Sequence, residues 1–402
     1  MSNSLLTIDM ITRKSLEVLE NNLVLTRNVN RQYDDSFAVE GAKIGSTLRI
    51  RLPDRALVTD GAALQVQDDN EQYTTLTVAS QQHIGINFTS AELTMQLDDF
   101  AERVLKPRVS QLASTVDANV ATAYKSIYNS VGTPGTTPAT SLVLLQGQQK
   151  LNEFATPMAT RYATVNPAAN AGLVEGLKGL FNPTGTISRQ FKNGMMGEGV
   201  LGLDEINMSQ SISQHTTGVT PTAPIVATTV SAQGATSLAI SFTSGSPTFK
   251  VGDVFTIGSV YAVNPQTRQS TGSLQQFVVT ADVTVSSTTT ATLSIQPPIY
   301  TPANALATVD SFPASSAVLT FLGGSATTYP QNLIYHKDAI TFATADLLLP
   351  QGVDMASRQV HNGISLRIIR QYDINNDRMP CRVDVLYGFA AVRPVTAVRM
   401  WG

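Results

Sequence analysis

The stretch Leu366 to Arg399, LRIIRQYDINNDRMPCRVDVLYGFAAVRPVTAVR, limits the fold of this chain more than any other. Two β-rich runs, Ile364 to Tyr372 and Arg382 to Leu386, flank Asp373 to Pro380, whose Asn, Asp and Pro residues suit turn geometry. In the second run Arg382 and Asp384 alternate with Val383 and Val385, which predicts a half-buried strand with its charges on the open face. A third short run, Ala397 to Trp401, follows, and 363–402 is expected to form one set of C-terminal strands. Nothing in the stretch has the spacing of a catalytic loop.

Between Pro221 and Pro298 the character changes, because the only charged residues there are Lys250, Asp253, Arg268 and Asp282. Period-two hydrophobes recur at Leu238, Ile240 and Phe242, at Phe277, Val279, Ala281, Val283 and Val285, and at Leu293 and Ile295. Short strands separated by Gly, Pro and Ser predict a small all-β domain. Helix and strand signals resume at Asn332 to Leu349, so this domain is read as an insertion.

The first half carries three long elements. Residues 4–28 read as an amphipathic helix through Leu5, Ile8, Ile11, Leu16, Leu19 and Leu23. It is free to pack on a neighbouring chain or on its own domain. Ser46 to Thr89 reads as a long hairpin whose polar tip spans Pro53 to Glu71. Such a hairpin is marginal alone and needs a partner surface. Arg49, Arg51, Asp54 and Arg55 are its candidates for ion pairs between subunits. Asp98 to Asn129 reads as one long helix, with Pro107 expected to kink or divide it. A linker, Gly132 to Ala139, then leads to a helix over Ser141 to Phe154, a strand over Arg161 to Val165, a helix from Pro167 to near Leu180, and Thr186 to Lys192.

With 402 residues the chain has room for two or three domains. Charged residues are only 14%, and the net charge of −3 gives no basic grip on nucleic acid. The single cysteine, Cys381, excludes an internal disulfide and reads as a small buried thiol. Met1 to Met10 has no secretion-leader pattern and no run reaches membrane-span length, so a product made and kept in a cytoplasm, with no membrane partner, is expected.

Gly197-Glu198-Gly199-Val200-Leu201-Gly202 matches the dinucleotide fingerprint by letter, but no apolar strand precedes it, and a flexible loop is the expected reading. His336, Asp338 and His361 are close enough in sequence to consider as metal ligands, but a surface or interface role is preferred. His83 and His215 stand without a nearby acid or cysteine pattern. No catalytic residue, cofactor site or metal site is assigned, and an enzyme is not expected.

The run RQYDINNDRMPCRVDVLYGFAAVRP resembles the C-terminal end of tailed-phage major capsid (coat) proteins, in the podovirus-type branch with an inserted β-domain. Lys250 to Val263, KVGDVFTIGSVYAV, resembles the opening of that inserted barrel, and Asn332 to Asp346, NLIYHKDAITFATAD, also reads like this family. Weaker matches lie at Ala163 to Pro167 and Gly185 to Gln190. The resemblance implies an α+β fold of the Hong Kong 97 type. Its parts would be an N-terminal arm (1–45), an extended loop (46–90), a spine helix of the peripheral domain (91–140) and an axial domain (141–221 and 299–362). An inserted small all-β barrel (222–298) and C-terminal strands of the peripheral domain (363–402) would complete it.

It further implies a structural subunit that self-assembles into pentamers and hexamers of an icosahedral head. The implied partners are a scaffolding protein, a portal protein and packaged double-stranded DNA held without sequence-specific binding, within a virion assembled in the host cytoplasm. Some relatives crosslink through a lysine of the extended loop. This chain has no lysine between Lys43 and Lys106, so non-covalent contacts are expected instead. The alternatives are an encapsulin-like compartment shell, which generally lacks such an insertion, and a β-domain binding module on a scaffold.

Overall fold

The computed structural model describes residues 8–33, 46–59, 61–62, 64, 66, 72–88, 106–176, 197–286, 288–376 and 378–402. The chain divides into two compact units, the first being Met1–Ile50, Tyr73–Ala121 and Ile340–Ala390, the second Arg51–Gln72, Thr122–Ala339 and Ala391–Gly402.

In the first unit, helices α1 (Ile8–Asn22), α2 (Leu25–Asn28) and α3 (Lys106–Ala121) accompany strands β1 (Asn30–Tyr33), β2 (Ser46–Arg51), β3 (Tyr73–Val78) and β4 (Ser80–Phe88). Its later strands are β20 (Thr341–Ala345), β21 (Met355–His361), β22 (Ile364–Arg370) and β23 (Met379–Ala390). β23 is the spine of the sheet. β4 runs antiparallel along one side of it, while β22 and then β20 share the other, and β21 and parallel β1 extend the sheet outward. β2 pairs with β3, and Leu48 and Ile50 pack on Leu76, Val78, Ala343 and Leu386. The second run of the expected hairpin is therefore split: β3 stays with β2 and β4 joins the main sheet.

Two helix expectations change. The N-terminal helix breaks after Asn22, because the buried Asp117 carboxylate on α3 accepts the backbone N–H groups of Val24, Leu25 and Thr26 at 3.1, 3.0 and 2.8 Å. An anion at these otherwise unpaired donors fixes the start of α2. Within the described residues α1 buries Leu16 and Leu19 on its own unit, and Leu23, just past its end, is buried too. Pro107 is the second residue of α3, where a proline gives up no helical hydrogen bond, and the kink or division expected there turns on residues before Lys106 that lie outside the described residues. α3 ends at Ala121, and Thr122–Ser126 continues as a tighter 3₁₀ turn, short of Asn129. Residues 98–105 of the expected helix lie outside the described residues, as do 1–7.

The second unit holds α4 (Ser141–Glu153) and α5 (Pro167–Gly176). Its mixed sheet contains β5 (Ser130–Val131), β6 (Arg161–Val165), β7 (Gly197–Val200), β8 (Leu203–Met208), β19 (Asn332–His336) and β24 (Ala397–Met400), in the order β5-β24-β19-β6-β8-β7. Val143, Leu144 and Leu151 of α4 and Ala169 and Leu173 of α5 pack on Ala163, Ile206, Ile334 and Val398 of this sheet. α5 begins at Pro167 as expected and is described to Gly176; the remainder, with 186–192, lies outside the described residues. β24 thus belongs to a different sheet from β22 and β23, so the last strands do not form one set: Ile334 pairs with Val398 on one side and Ala163 on the other.

Between β8 and β19 the chain leaves that sheet. A short pair, β9 (Gln214–Thr216) with β18 (Thr328–Pro330), brackets the excursion, and β12 (Thr248–Phe249) pairs with β15 (Val283–Thr284) inside it. The six other strands are β10 (Ile225–Val226), β11 (Ala235–Ser241), β13 (Val254–Val263), β14 (Ser270–Val279), β16 (Thr290–Ile299) and β17 (Leu319–Phe321), in the order β10-β11-β16-β14-β13-β17. A bridge between Ile225 and Val318, with Val226 N–H donating to Ala317 and Leu319 N–H to Pro224, joins the two ends into a ring. Phe249, Phe255, Phe277 and Phe321 pack inside. The ring needs β17, so it extends past Pro298, the bound expected for it, into a stretch whose only Asp, Glu, Lys or Arg before Lys337 is Asp310.

Candidate assembly surfaces

The four residues read as inter-subunit contacts do not gather into one cluster. The Arg49 guanidinium lies over the Tyr73 ring, 5.0 Å from its centroid. Arg51 is exposed at the end of β2. Asp54 Oδ1 accepts the Arg55 backbone N–H at 2.7 Å. Arg55 is half-buried; burial draws its guanidinium below the ordinary value, with the Tyr128 phenol opposing that fall and Arg393 adding to it. Arg55 is therefore turned toward its own unit, and Arg49, Arg51 and Asp54 are the more open of the set. The same segment carries side chains that water does not favour: Val58, Leu64 and Val66 are 81%, 89% and 84% exposed.

Sequence reading missed a buried polar network in the second unit. His215 Nε2 donates to Asp253 Oδ1 at 2.9 Å, and the Tyr124 hydroxyl lies 3.1 Å from His215 Nδ1. Asp253 also accepts the backbone N–H groups of Lys250 at 2.8 Å and Gly218 at 3.2 Å. Arg399 donates to the carbonyls of Gly252 at 2.7 Å and Tyr124 at 2.6 Å, and stacks over the Tyr124 ring. Burial pulls Arg399 down to about 10 despite Tyr124, Tyr329 and Asp253, and pushes Tyr124 up. All four side chains are buried, so the network ties distant segments together and offers no reacting group to a substrate. The only sequence hint was one histidine and one of four charges in a nearly uncharged region, 38 residues apart.

The other motifs resolve into structure. Gly197–Gly202 is a two-residue hairpin: β7 pairs with β8, and Leu201 and Gly202 turn between them at φ 53° and 75°. The expected flexible loop is thus an ordered turn with no phosphate cradle. His336 is buried instead of lying on the surface, with Nε2 3.0 Å from Thr160 Oγ1 and Nδ1 accepting the Asp338 N–H at 3.2 Å. His361 belongs to the first unit, where it lies 3.4 Å from Glu20. Among the described residues no three His, Cys, Asp or Glu side chains gather as a metal site.

Asp384 overturns the alternation read in β23. It is fully buried and bound by Arg367 at 2.6 Å and Arg382 at 2.5 Å, because strands lie on both sides of it and the arginines close over its face. Cys381, in the same strand, is buried and its thiol is pushed up to about 11.

A family model described as P22 coat protein, gene protein 5, matches residues 1–402. The chain belongs to the P22 coat protein family. It is a tailed-phage major capsid protein, a structural component of the virion. Its mixed α+β, strand-rich architecture is consistent with the phage capsid fold. Similar solved structures are from Mycobacterium phage Che8, at 12% identity over 94% of this chain and 90% of that one, with a TM-score of 0.47, and the capsid of Ralstonia phage GP4, at 8% identity over 100% and 94%, with a TM-score of 0.45. The mature capsid of bacteriophage PhiM1 is similar at 12% identity over 94% and 86%, with a TM-score of 0.42. No curated protein matches the sequence. Among the described residues no helix is long and apolar enough to cross a membrane.

Proposed function

We propose that this coat protein assembles as pentamers and hexamers of an icosahedral head enclosing double-stranded DNA, with a scaffolding protein guiding assembly and a portal at one vertex. The observation that carries this reading is the exposure of Val58, Leu64 and Val66 on the segment between β2 and β3. Three apolar side chains held in water favour burial against another surface, and a self-associating subunit supplies one. Arg49, Arg51 and Asp54 would set the register of that contact more than its strength, since exposed ion pairs are worth about 0 to 1 kcal/mol. The ring of β10 to β17 acts as an inserted β-barrel domain that stabilises the subunit, and assembly proceeds in the host cytoplasm.

The test is expression of the chain with and without its scaffold, followed by electron microscopy of negatively stained particles and analysis of the contents of heads from infected cells. Uniform icosahedral shells, with nuclease-protected DNA in the heads, are expected. Monomers or small rings under both conditions would overturn the shell reading, and a protein cargo in place of DNA would favour an encapsulin-like compartment.

A further inference from the structure

The last turn of α1 carries an acid, Glu20, at the end of the helix where the dipole does not favour negative charge. Its surroundings compensate. Glu20 Oε1 accepts the Asn362 side-chain N–H at 2.6 Å and the Arg31 guanidinium at 3.2 Å, and Oε2 lies 3.4 Å from His361 Nε2. Burial pushes the Glu20 carboxyl up, and Asn362, Arg31 and His361 more than reverse that rise. Near the other end of α1, Asp9 accepts the Ser357 hydroxyl at 2.5 Å. Asn362 thus closes a polar clasp between the end of α1 and the tip of the β21–β22 hairpin.

Asn362 and Gly363 form the two-residue turn between His361 and Ile364, at φ 48° and 75°. Asn-Gly is the pair such a turn favours. It is also the pair least shielded against reaction of an asparagine with its own backbone, because glycine has no Cβ to keep the side chain off its nitrogen. In that reaction the Gly363 nitrogen bonds to Asn362 Cγ, the Cγ–Nδ2 bond breaks, and the proton given up by Gly363 leaves with the amide as ammonia. Water then opens the cyclic imide at either carbonyl, leaving aspartate or isoaspartate. Asn362 is exposed to the water this needs, but the turn is held on three sides. Glu20 engages Nδ2, Arg31 donates to the Asn362 carbonyl at 3.1 Å, and the Thr344 hydroxyl donates to the Gly363 carbonyl at 2.8 Å. A nitrogen that donates to a carboxylate is badly placed to take up the proton with which it must leave.

We propose that Asn362 is a site of spontaneous deamidation, held closed by Glu20 while α1 is docked, and that its conversion releases the end of α1. The new carboxylate stands where Nδ2 met Glu20, which turns a donor–acceptor contact into two like charges with Arg31 between them. Isoaspartate also adds a backbone atom to the turn that sets the register of β21 on β22.

The test incubates the full chain in mildly alkaline buffer and follows, by peptide mapping, the exchange of the Asn362 amide for an acid. Conversion in the native chain is expected to be at least about tenfold slower than in urea, and Glu20→Ala to speed it about tenfold, as loss of a hydrogen bond to a charged acceptor implies. Asp9→Ala, which frees the other end of α1, is expected to leave the rate near that of the wild type. No conversion at Asn362 in urea would overturn the site itself. Equal rates in the native and unfolded chain, no gain in E20A, or an equal gain in D9A would overturn the gating by Glu20. For the release, Asn362→Asp is expected to be cut by trypsin after Arg13 and Lys14 severalfold faster than the wild type, with sites outside α1 cut as before. Cutting at the wild-type rate would overturn that part of the proposal.

Discussion

Asp117 holds both ends of Thr26: one carboxylate oxygen accepts the Thr26 backbone N–H at 2.8 Å and the Thr26 hydroxyl at 2.7 Å, while the other accepts from Leu25. Replacement by Ala strands these donors in a buried site, and each buried unpaired polar group costs about 1 to 3 kcal/mol. We expect D117A to lower the unfolding free energy of the isolated subunit by about 3 kcal/mol and T26V by about 1 kcal/mol. Urea unfolding checks both, and a D117A loss no larger than that of T26V would show that the backbone donors find other partners.

The Tyr124, His215 and Asp253 network predicts unequal losses. Asp253→Ala removes the acceptor for His215, Gly218 and Lys250, so a loss of about 3 kcal/mol is expected. Tyr124→Phe deletes one hydroxyl and is expected to cost about 1 kcal/mol. A double-mutant cycle between Y124F and H215F should return a coupling near 1 kcal/mol. Strict additivity would mean that the 3.1 Å contact contributes nothing to stability.

How much of this was legible in advance differs by element. Arg161–Val165 came out as a strand over the predicted residues, and Leu238 and Ile240 fall within β11, with Phe242 one residue past its end, and Leu293 and Ile295 within β16, because alternation survives where one face is buried. The destination of Ala397–Met400 was not legible: its local pattern suits any sheet, and only pairing with Asn332–Tyr335 decides which. Asp384 read as exposed because alternation records a face and not what covers it. His215 was unreadable for the same reason, since its acid comes from a distant turn. In the hairpin, the exposed valines and leucine were overlooked behind Arg49, Arg51, Asp54 and Arg55, although apolar residues in a polar tip were the stronger signal.

His336 predicts a pH dependence. Burial lowers its pKa from 6.5, and neighbouring Arg393 and Arg161 lower it further against the pull of Asp338. The unfolded chain therefore binds a proton on this histidine at a higher pH than the folded one does. Its contribution is fully present above pH 6.5 and is lost as the pH falls from there toward the lower folded value. Unfolding free energies of wild type and H336N between pH 7.5 and pH 5 are expected to converge as the pH falls. Parallel curves would exclude His336 as the source.

Close approach at two glycines separates a yielding neighbour from a rigid one. A Cβ at Gly147 on α4 would overlap the tip of Ile334, a flexible side chain, whereas one at Gly388 on β23 would overlap the backbone carbonyl of Thr77 on β3. Overpacking of side chains costs about 1 to 3 kcal/mol and relaxes when the offending atoms are removed. We therefore expect Gly147→Ala to destabilise the subunit by about 2 kcal/mol, and Ile334→Val, which deletes the overlapping Cδ1, to recover part of that loss in the double variant. Gly388→Ala has no such remedy, because β3 would have to move off the sheet, and it is expected to cost more and to resist rescue by neighbouring truncations such as Leu386→Ala. Thermal unfolding of the four single variants and the two double variants tests the contrast. A Gly147→Ala loss that Ile334→Val leaves untouched would place the strain in the helix backbone instead of in the packing of α4 on its sheet.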